Sequence, residues 1–217
     1  MYQLFIFDVD GVLLDSEPLY RAMHRQWFAE LGFTLPETQH LSMIGMAANK
    51  FWQYLKDNYH LSGEIADYIA EEKARKFQTL QTTPLMPSVG IEPMLQTLKR
   101  QGFPTGIASS GLLKNIQLIL SRLGFEAFFD HIVSGEQVSR GKPEPDIFLQ
   151  VAAHFNISPE ACVVIEDSTN GVTGAKAAGM FCVGYQNPTS GQQDLSKADL
   201  IVDRLDDPRL QPLWTKS

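Results

Sequence analysis

The sequence predicts an α/β fold in which a doubly wound, Rossmann-like parallel sheet carries an inserted α-helical cap domain. From Pro87 onward, short apolar runs alternate with helical patterns, which is typical of a parallel sheet with helices on both faces. Between Ser16 and about Gln81 the pattern holds helices and no convincing strand. We therefore predict a core domain of residues 1–15 and 82–217 and a cap domain of residues 16–81.

The first strand precedes a pair of aspartates. The run Leu-Phe-Ile-Phe at residues 4–7 has the aromatic and β-branched content of a strand buried on both faces, and Asp8, Asp10 and Gly11 follow it. Because side chains alternate along an extended chain, Asp8 and Asp10 point to the same side at the carboxyl end of the strand, where open sheets bind ligands. An Asp-Gly hairpin turn is the simpler alternative, but the segment that follows has a helical pattern.

The predicted cap begins after this turn. Ser16 is placed to cap a helix that has Pro18 in its first turn and ends near Gly32. Further helical patterns cover residues 37–44, 49–58 and 62–80, and the aromatic residues among them are expected to form the cap's own core: Trp27, Trp52 and Tyr54. Two roles are open for Glu17: a negative charge that stabilises the start of the helix, or a contact to substrate.

The remaining elements belong to the predicted core domain. Helices are expected at about residues 91–100, 112–123 and 146–155, with another after Asp167 that ends at Gly179. Strands are expected at about residues 103–108, 132–134, 161–165, 181–184 and 200–202. Strands and helices in this order give right-handed crossovers and one parallel sheet.

Composition narrows the compartment and the partners. The net charge of −7 argues against a nucleic-acid partner, which favours a basic face. Cys162 and Cys182 lie in apolar runs and are expected to be buried thiols in a reducing cytosol. No apolar run approaches the ~18 residues of a membrane span, and Asp8 interrupts the first run too early for a secretory signal. We therefore expect a cytoplasmic protein with no membrane partner.

Polar groups stand where four segments of the predicted sheet end. They are Asp8 with Asp10, Ser109 with Ser110, Lys142, and Glu166 with Asp167. Clustered carboxylates require a hard divalent cation, and Mg²⁺ suits oxygen ligands. The turn at Ser109 offers backbone N–H groups and a helix N-terminus to an anion, and Lys142 adds a positive charge. Such a site is built for phosphoryl transfer, with Asp8 as the nucleophile.

Four motifs in this order carry a family resemblance. Phe-Asp-Val-Asp-Gly-Val-Leu-Leu-Asp-Ser-Glu, Ala-Ser-Ser-Gly, Gly-Lys-Pro-Glu-Pro-Asp-Ile-Phe and Ile-Glu-Asp-Ser-Thr-Asn-Gly-Val resemble the motifs of the haloacid dehalogenase superfamily, and they span residues 7–172. The helical insertion between the first two motifs resembles the cap of the subfamily that contains β-phosphoglucomutases and small sugar-phosphate phosphatases.

The resemblance implies a role for each candidate residue. Asp8 would be the nucleophile, and Asp10 would protonate the leaving alkoxide and then activate water. Mg²⁺ would be held by Asp8, Asp167 and the backbone carbonyl of Asp10, with Glu166 close by. The remaining candidates would bind the substrate: Ser109, Ser110 and Gly11 at the phosphoryl group, Lys142 between Asp8 and the phosphate, and Lys73 pointing down from the cap, although a lysine at the edge of an apolar helix face ordinarily extends to water.

These roles predict a Mg²⁺-dependent phosphatase for a small phosphorylated metabolite, either a sugar or a polyol phosphate. A β-phosphoglucomutase is the alternative, but Tyr20 stands where a mutase has histidine, and Met46-Ala47-Ala48 lacks the arginine that holds a second phosphate. A receiver-type phospho-acceptor domain is the non-enzymatic alternative, although such a domain needs neither a cap nor a general acid. Family precedent favours a monomer.

Overall fold

A six-stranded parallel sheet forms the centre of the computed structural model, which describes residues 1–215. The strands lie in the order β3-β2-β1-β4-β5-β6, and this doubly wound arrangement confirms the predicted fold class. Their bounds are β1 (Leu4–Phe7), β2 (Thr105–Ser109), β3 (His131–Ser134), β4 (Cys162–Glu166), β5 (Phe181–Tyr185) and β6 (Leu200–Val202).

Strand β1 lies where the strand order reverses. It pairs with β2 on one side and with β4 on the other, with Phe7 opposite Ile107 and Ile165. All four residues of β1 are fully buried, as its continuous apolar run predicts. In a doubly wound sheet, ligands bind beyond the carboxyl ends of the strands at this reversal, so residues after β1 and β4 face the expected crevice.

Helices cover both faces of the sheet. Helices α5 (Ile91–Arg100) and α6 (Leu113–Leu123) pack on the face that carries Phe5 and Phe7, whereas α7 (Asp146–Phe155) and α8 (Thr169–Ala177) pack on the face that carries Leu4 and Ile6. Alternate residues of β1 therefore enter different apolar layers. Cys162 and Cys182 are buried free thiols, as predicted.

Four helices follow β1 before the chain returns to the sheet. They are α1 (Glu17–Glu30), α2 (Glu37–Ser42), α3 (Ala48–Tyr59) and α4 (Ile65–Thr82), and we call them the helical insertion. They enclose an apolar cluster of their own in which the rings of Trp27 and Trp52 lie 4.6 Å apart and Tyr68 stacks on Trp52 at 5.0 Å. Trp27 and Trp52 thus form the aromatic core predicted for the cap, and the division at residues 16 and 81 stays a prediction.

The two connections between the helical insertion and the sheet run side by side. Leu14 forms an isolated antiparallel bridge with Pro87, and hydrogen bonds join Asp15 N to Met86 O (3.1 Å) and Ser88 N to Leu13 O (3.2 Å). The insertion therefore leaves and rejoins the core at adjacent points.

Element boundaries differ from the predicted ones where proline or a polar side chain intervenes. Strand β2 begins at Thr105 and not at Phe103, because Pro104 has no N–H to donate to a neighbouring strand. Strand β4 extends one residue further than predicted and includes the buried Glu166. Ser16 occupies the N-cap position of α1, but its side chain makes no capping hydrogen bond. Within residues 1–215, no helix combines the length and apolarity needed to cross a membrane.

Candidate active site

The ends of β1, β2 and β4 converge on one pocket of about 290 Å³. Asp8 follows β1, Glu166 ends β4, and the pairing of Phe7 with Ile165 sets them on neighbouring strands. Sequence-predicted residues that line this pocket are Asp8, Asp10, Gly11, Ser109, Ser110, Lys142 and Asp167. Glu166 lies beneath them, fully buried.

Lys142 is the cation at the floor of this pocket. Its Nζ donates to Asp8 Oδ1 (2.7 Å), to Glu166 Oε1 (2.5 Å) and to the carbonyl of Ala108 (2.9 Å). Burial alone would lower the pKa of Lys142, but the carboxylates of Asp8 and Glu166 raise it above its usual range. Lys142 therefore stays protonated and holds both carboxylates in place.

Three carboxylates outnumber this single lysine. Oxygen atoms of Asp8, Glu166 and Asp167 lie within 4.8 Å of one another, and all three residues are buried. Burial, opposed by Lys142 and reinforced by Glu166, raises the pKa of Asp8 to about 7. Burial and the charges of Glu166 and Asp8 also raise the pKa of Asp167 well above its usual range. An all-oxygen donor set with excess negative charge fits a hard divalent cation.

Two glycines allow the carboxylates to come this close. Gly11 has φ +82°, and a Cβ there would lie 1.9 Å from Asp167 Oδ2. A Cβ on Gly171 of α8 would lie 1.9 Å from the carboxyl group of Glu166. The amide of Gly11 donates to the carbonyl of Leu14 (2.7 Å), and the missing Cβ leaves room for Asp167; the phosphate contact of Gly11, which lines the pocket, stays a prediction.

Asp10 faces the pocket from the side of the helical insertion. Its Oδ1 is buried and has no hydrogen-bond partner among the described residues. Burial first, and the nearby Asp10 second, raise the pKa of Glu17 to about 7, while Lys76 and Arg21 oppose the shift. Burial and Asp10 likewise raise the pKa of Tyr20. Asp10 is therefore the carboxyl group placed where the core meets the first helix of the insertion.

The turn after β2 differs from the expected anion site. Ser109 and Ser110 line the pocket, but the amide of Gly111 donates to Ser109 Oγ (3.1 Å). At the start of α6, the amide of Leu113 donates to Glu136 Oε2 (2.9 Å). The protein's own side chains thus occupy two of the N–H groups that the sequence assigned to an anion.

Lys73 is not brought to the pocket. It is exposed and lines a groove between α3 and α4 with Ile65 and Ile69, and no residue of the Asp8 pocket lines that groove. Ile65 and Ile69 share a face of α4 with Lys73, and this face lines the groove and not the pocket; the substrate contact of Lys73 stays a prediction. Lys76 lies on the face that turns toward Tyr20, with Nζ 5.0 Å from the centre of that ring.

A second, smaller cavity of about 150 Å³ lies inside the helical insertion and adjoins the pocket. Glu17 and the turn from Ile44 to Met46 line both spaces. The other polar residues that line the cavity are Tyr20, Arg21, His24, His40, Glu72 and Lys76. Sequence patterns did not indicate these residues as a site; Tyr20 stood out only because a mutase has histidine at that position.

Glu72 is the centre of the polar network in this cavity. It accepts hydrogen bonds from Trp52 Nε1 (2.6 Å) and His24 Nε2 (3.2 Å). It also forms an ion pair with Lys76 Nζ (2.7 Å). Burial opposes its charge, but these partners lower the pKa of Glu72 to about 2. In sequence, a glutamate four residues before a lysine indicates an exposed helix pair, so only the fold identifies Glu72 as buried.

Comparison with known proteins shows which family this chain belongs to. A family model described as haloacid dehalogenase-like hydrolase matches residues 5–185. A phosphorylated carbohydrates phosphatase of Thermotoga maritima is 34% identical over 178 residues, which cover 81% of each protein. A beta-phosphoglucomutase of Bacillus subtilis is 32% identical over 220 residues, which cover 96% of this chain and 92% of the relative.

A solved structure gives the same result for the fold. The crystal structure of a HAD family hydrolase from Deinococcus radiodurans, with bound phosphate and sodium, superposes with a TM-score of 0.81 and 27% identity. The superposition covers 100% of this chain and 99% of that one. With its four motifs gathered at one pocket and a family model matched over most of its length, the chain belongs to the haloacid dehalogenase-like hydrolases.

Proposed function

We propose that this protein is a Mg²⁺-dependent phosphatase that hydrolyses a small sugar or polyol monophosphate through an aspartyl-phosphate on Asp8. The observation that carries the proposal is the convergence of Asp8, Glu166 and Asp167 with Lys142 at the reversal of the strand order. The similarity to a phosphorylated carbohydrates phosphatase supports the reaction and the substrate class.

Asp8 is the proposed nucleophile. A carboxylate oxygen of Asp8 attacks the phosphorus of the substrate, and the bond from phosphorus to the leaving-group oxygen breaks. Lys142 supports this role because it holds the Asp8 carboxylate at 2.7 Å and places a positive charge beside the transferring group. The hydroxyl groups of Ser109 and Ser110 line the same pocket and would donate to the phosphoryl oxygens.

Asp10 is the proposed general acid and base. Protonated Asp10 gives its proton to the leaving alkoxide oxygen, which departs as an alcohol. The resulting carboxylate then takes a proton from water, whose oxygen attacks the aspartyl-phosphate, and the bond between phosphorus and Asp8 breaks to release inorganic phosphate. The buried Oδ1 of Asp10 supports this role, because it has no hydrogen-bond partner among the described residues and is free to carry the proton, while Tyr20 is hydrogen-bonded to the same carboxyl group.

The proposed cation site uses the carboxylates described above. Asp8, Asp167 and the backbone carbonyl of Asp10 would hold Mg²⁺, and Glu166 lies beside them. When bound, the ion supplies charge neutralisation for the transferring phosphoryl group and for the aspartates. The all-oxygen donor set supports Mg²⁺ over metals that prefer sulfur or nitrogen.

The adjoining cavity supports a leaving group that is neutral and hydroxylated. Arg21 and Lys76 line it together with Glu72, which stays ionised, and Glu17, whose raised pKa of about 7 leaves it partly protonated near neutral pH. His24 and His40 add no charge, because burial lowers the pKa of both. Hydroxyl groups of a sugar or polyol can donate to the carboxylates and accept from the cations, whereas a second anionic group would meet carboxylates that it repels.

The similarity to a beta-phosphoglucomutase raises the second candidate function. A mutase must bind a bisphosphate in two orientations and therefore needs an unpaired cation at the distal site. Here Lys76 is paired with Glu72, and Arg21 donates to the carbonyl of Thr189 (3.0 Å). The pairing of Lys76 with Glu72 favours the phosphatase.

We further propose that the protein acts as a monomer in the cytoplasm, with no nucleic-acid partner. The net charge of −7 supports the last point, because nucleic acids bind basic surfaces. The two buried free thiols support a reducing compartment.

Release of inorganic phosphate tests the proposed function. Purified enzyme with Mg²⁺ is assayed against hexitol and hexose monophosphates, a hexose bisphosphate and phosphoglycolate, and the catalytic efficiencies are compared. We expect repeated turnover that a chelator abolishes. The catalytic efficiency should be highest for the hexitol and hexose monophosphates, whose leaving groups are uncharged. A single stoichiometric phosphorylation without turnover, or isomerisation of a hexose phosphate without phosphate release, would contradict the proposal.

A further inference from the structure

The segment from Asn187 to Gln193, which follows β5, binds several parts of the active site at once; we call it the post-β5 segment. Asn187 Nδ2 donates to the carbonyl of Gly11 (2.9 Å), in the turn after the proposed nucleophile. At the other end, Gln193 Oε1 accepts from the amide and the hydroxyl of Thr169, at the start of α8. The segment is therefore fixed to the loops that follow both β1 and β4.

Ser190 is the residue of this segment that touches a carboxylate of the cation site. It is 4% exposed, and its Oγ donates to Asp167 Oδ2 at 2.5 Å. A hydroxyl that donates to one carboxylate oxygen fixes the orientation of the group and favours its ionised form. Asp167 otherwise faces Glu166 and Asp8, so this hydrogen bond offsets part of their repulsion.

The same segment carries the helical insertion. Arg21 of α1 donates from Nη1 to the carbonyl of Thr189 (3.0 Å), next to Ser190. Gly191 has φ +71°, and a Cβ there would lie 3.1 Å from the carbonyl of Leu41 and 3.2 Å from Ile44. The insertion therefore rests on the post-β5 segment at two points, through α1 and through the end of α2 and the turn after it.

We infer that Ser190 is a positioning residue for the cation ligand Asp167, and that the post-β5 segment couples the position of the helical insertion to cation affinity through Arg21. The inference rests on the proposed cation site. Two groups that bind one rigid segment bias each other, so a contact that seats the insertion also favours the Ser190 orientation that supports Asp167. By the same linkage, a bound cation favours the seated insertion.

Isothermal titration of Mg²⁺ into the substrate-free enzyme tests the first part. Ser190→Ala is expected to weaken Mg²⁺ binding by about tenfold or more, as loss of a hydrogen bond to a metal ligand does. Ser190→Cys keeps a side chain of similar volume with a weaker hydrogen-bond donor. Its Mg²⁺ affinity is expected to lie between those of wild type and Ser190→Ala. Ser121→Ala, which removes an exposed hydroxyl from α6, serves as the control.

Equal Mg²⁺ affinity of Ser190→Ala and wild type would overturn the positioning role. If wild-type enzyme bound no divalent cation, the proposed site and this inference would both be wrong. Because Mg²⁺ binding is measured without substrate, the titration tests the role of Ser190 even if the proposed phosphatase reaction proves wrong.

A double-mutant cycle tests the coupling. Arg21→Ala is expected to weaken Mg²⁺ binding several-fold in the wild-type background and to have little further effect in Ser190→Ala, because both changes act through one segment. Arg25→Ala, one turn further along α1 and exposed, is the matched control and is expected to leave Mg²⁺ affinity unchanged. An effect of Arg21→Ala of the same size in both backgrounds, or none in either, would overturn the coupling.

Discussion

The indole nitrogen of Trp52 donates to the carboxylate of Glu72 at 2.6 Å in the interior of the helical insertion. Glu72 Oε1 also meets Lys76 Nζ at 2.7 Å, so one buried carboxylate joins α3 to two turns of α4. Because burial lowers the pKa of His24 and Glu72 is ionised, at neutral pH His24 Nε2 donates to Glu72 and its Nδ1 accepts from His40 Nε2 at 3.1 Å. A directed chain of hydrogen bonds therefore crosses the insertion from α2 through α1 to α4.

Glu72→Gln is expected to destabilise the protein by about 2–4 kcal/mol, because a buried charge with three partners is replaced by a neutral amide that leaves Lys76 without its counter-charge. Urea unfolding followed by tryptophan fluorescence measures the change. Glu71→Gln, which loses only a surface pair with Arg75, is expected to cost less than about 0.5 kcal/mol. Equal effects of the two variants would contradict the central role of Glu72.

The contribution of His40 to stability is expected to fall as the pH falls from about 6.5 to about 4, while the raised pKa values of Asp8 and Glu17 act in the opposite direction. Burial, His24 and neighbouring arginines lower the pKa of His40 from 6.5 to about 4. Between these values the His40 ring binds a proton in the unfolded chain but not in the folded one, so its contribution to stability rises with pH in this window. For this half-buried ring, whose charge solvent partly screens, the loss is on the order of 1–2 kcal/mol. Urea unfolding at several pH values should show wild type losing stability relative to His40→Gln as the pH falls through this window, and a constant difference between the two proteins would refute this assignment.

Asp8→Asn is expected to lower kcat by at least about 10³-fold, because the amide is not a nucleophile. The thermal unfolding temperature should stay the same or rise, since the change removes one of three mutually repelling carboxylates. Asp10→Asn is the companion variant and should also abolish turnover. Retained activity in either variant would refute the assigned roles.

Gly11→Ala is expected to disrupt the cation site in addition to straining the backbone. The new Cβ would lie 1.9 Å from Asp167 Oδ2. Gly32→Ala is the matched control, since φ is +87° there and no atom lies within 4 Å of the Cβ position. Both variants should lose about 1 kcal/mol to backbone strain. Only Gly11→Ala should weaken Mg²⁺ binding in calorimetry, and parallel losses in both variants would exclude the collision with Asp167.

Lys76→Ala is expected to raise KM for a sugar or polyol phosphate about tenfold or more, because it removes a cation from the wall of the leaving-group cavity. Lys73→Ala, three residues earlier on α4, should change KM by less than about twofold, since Lys73 lines a different groove. Steady-state kinetics of both variants decides between the two lysines. The reverse order of effects would support the contact predicted from the sequence.

The sheet and the cluster of polar groups at its edge could be predicted because their signals are local. A continuous apolar run gave β1, and the alternation of side chains placed Asp8 and Asp10 beside each other. Lys142, Glu166 and Asp167 followed from the rule that parallel strands end at one edge. These features depend on periodicity and topology, which a single sequence carries.

The contacts that depend on packing could not be predicted. Helical periodicity locates Lys73 and Lys76 on α4 but does not say which face turns toward the pocket. The amide of Leu113 is occupied by Glu136, a partner 23 residues away in sequence. Likewise, nothing local marks Ser190 as a neighbour of Asp167, because the two meet only when the loop after β5 folds back over the turn after β4.

The adjacency of Leu14 and Pro87 has a consequence for how such enzymes diversify. Because the four helices are attached at neighbouring backbone positions, a different set of helices could replace them without altering the spacing of the parent sheet. The sheet, which carries the chemistry, and the helices, which set selectivity, would then be separately exchangeable parts. The two connecting segments would need only to keep their pairing with each other.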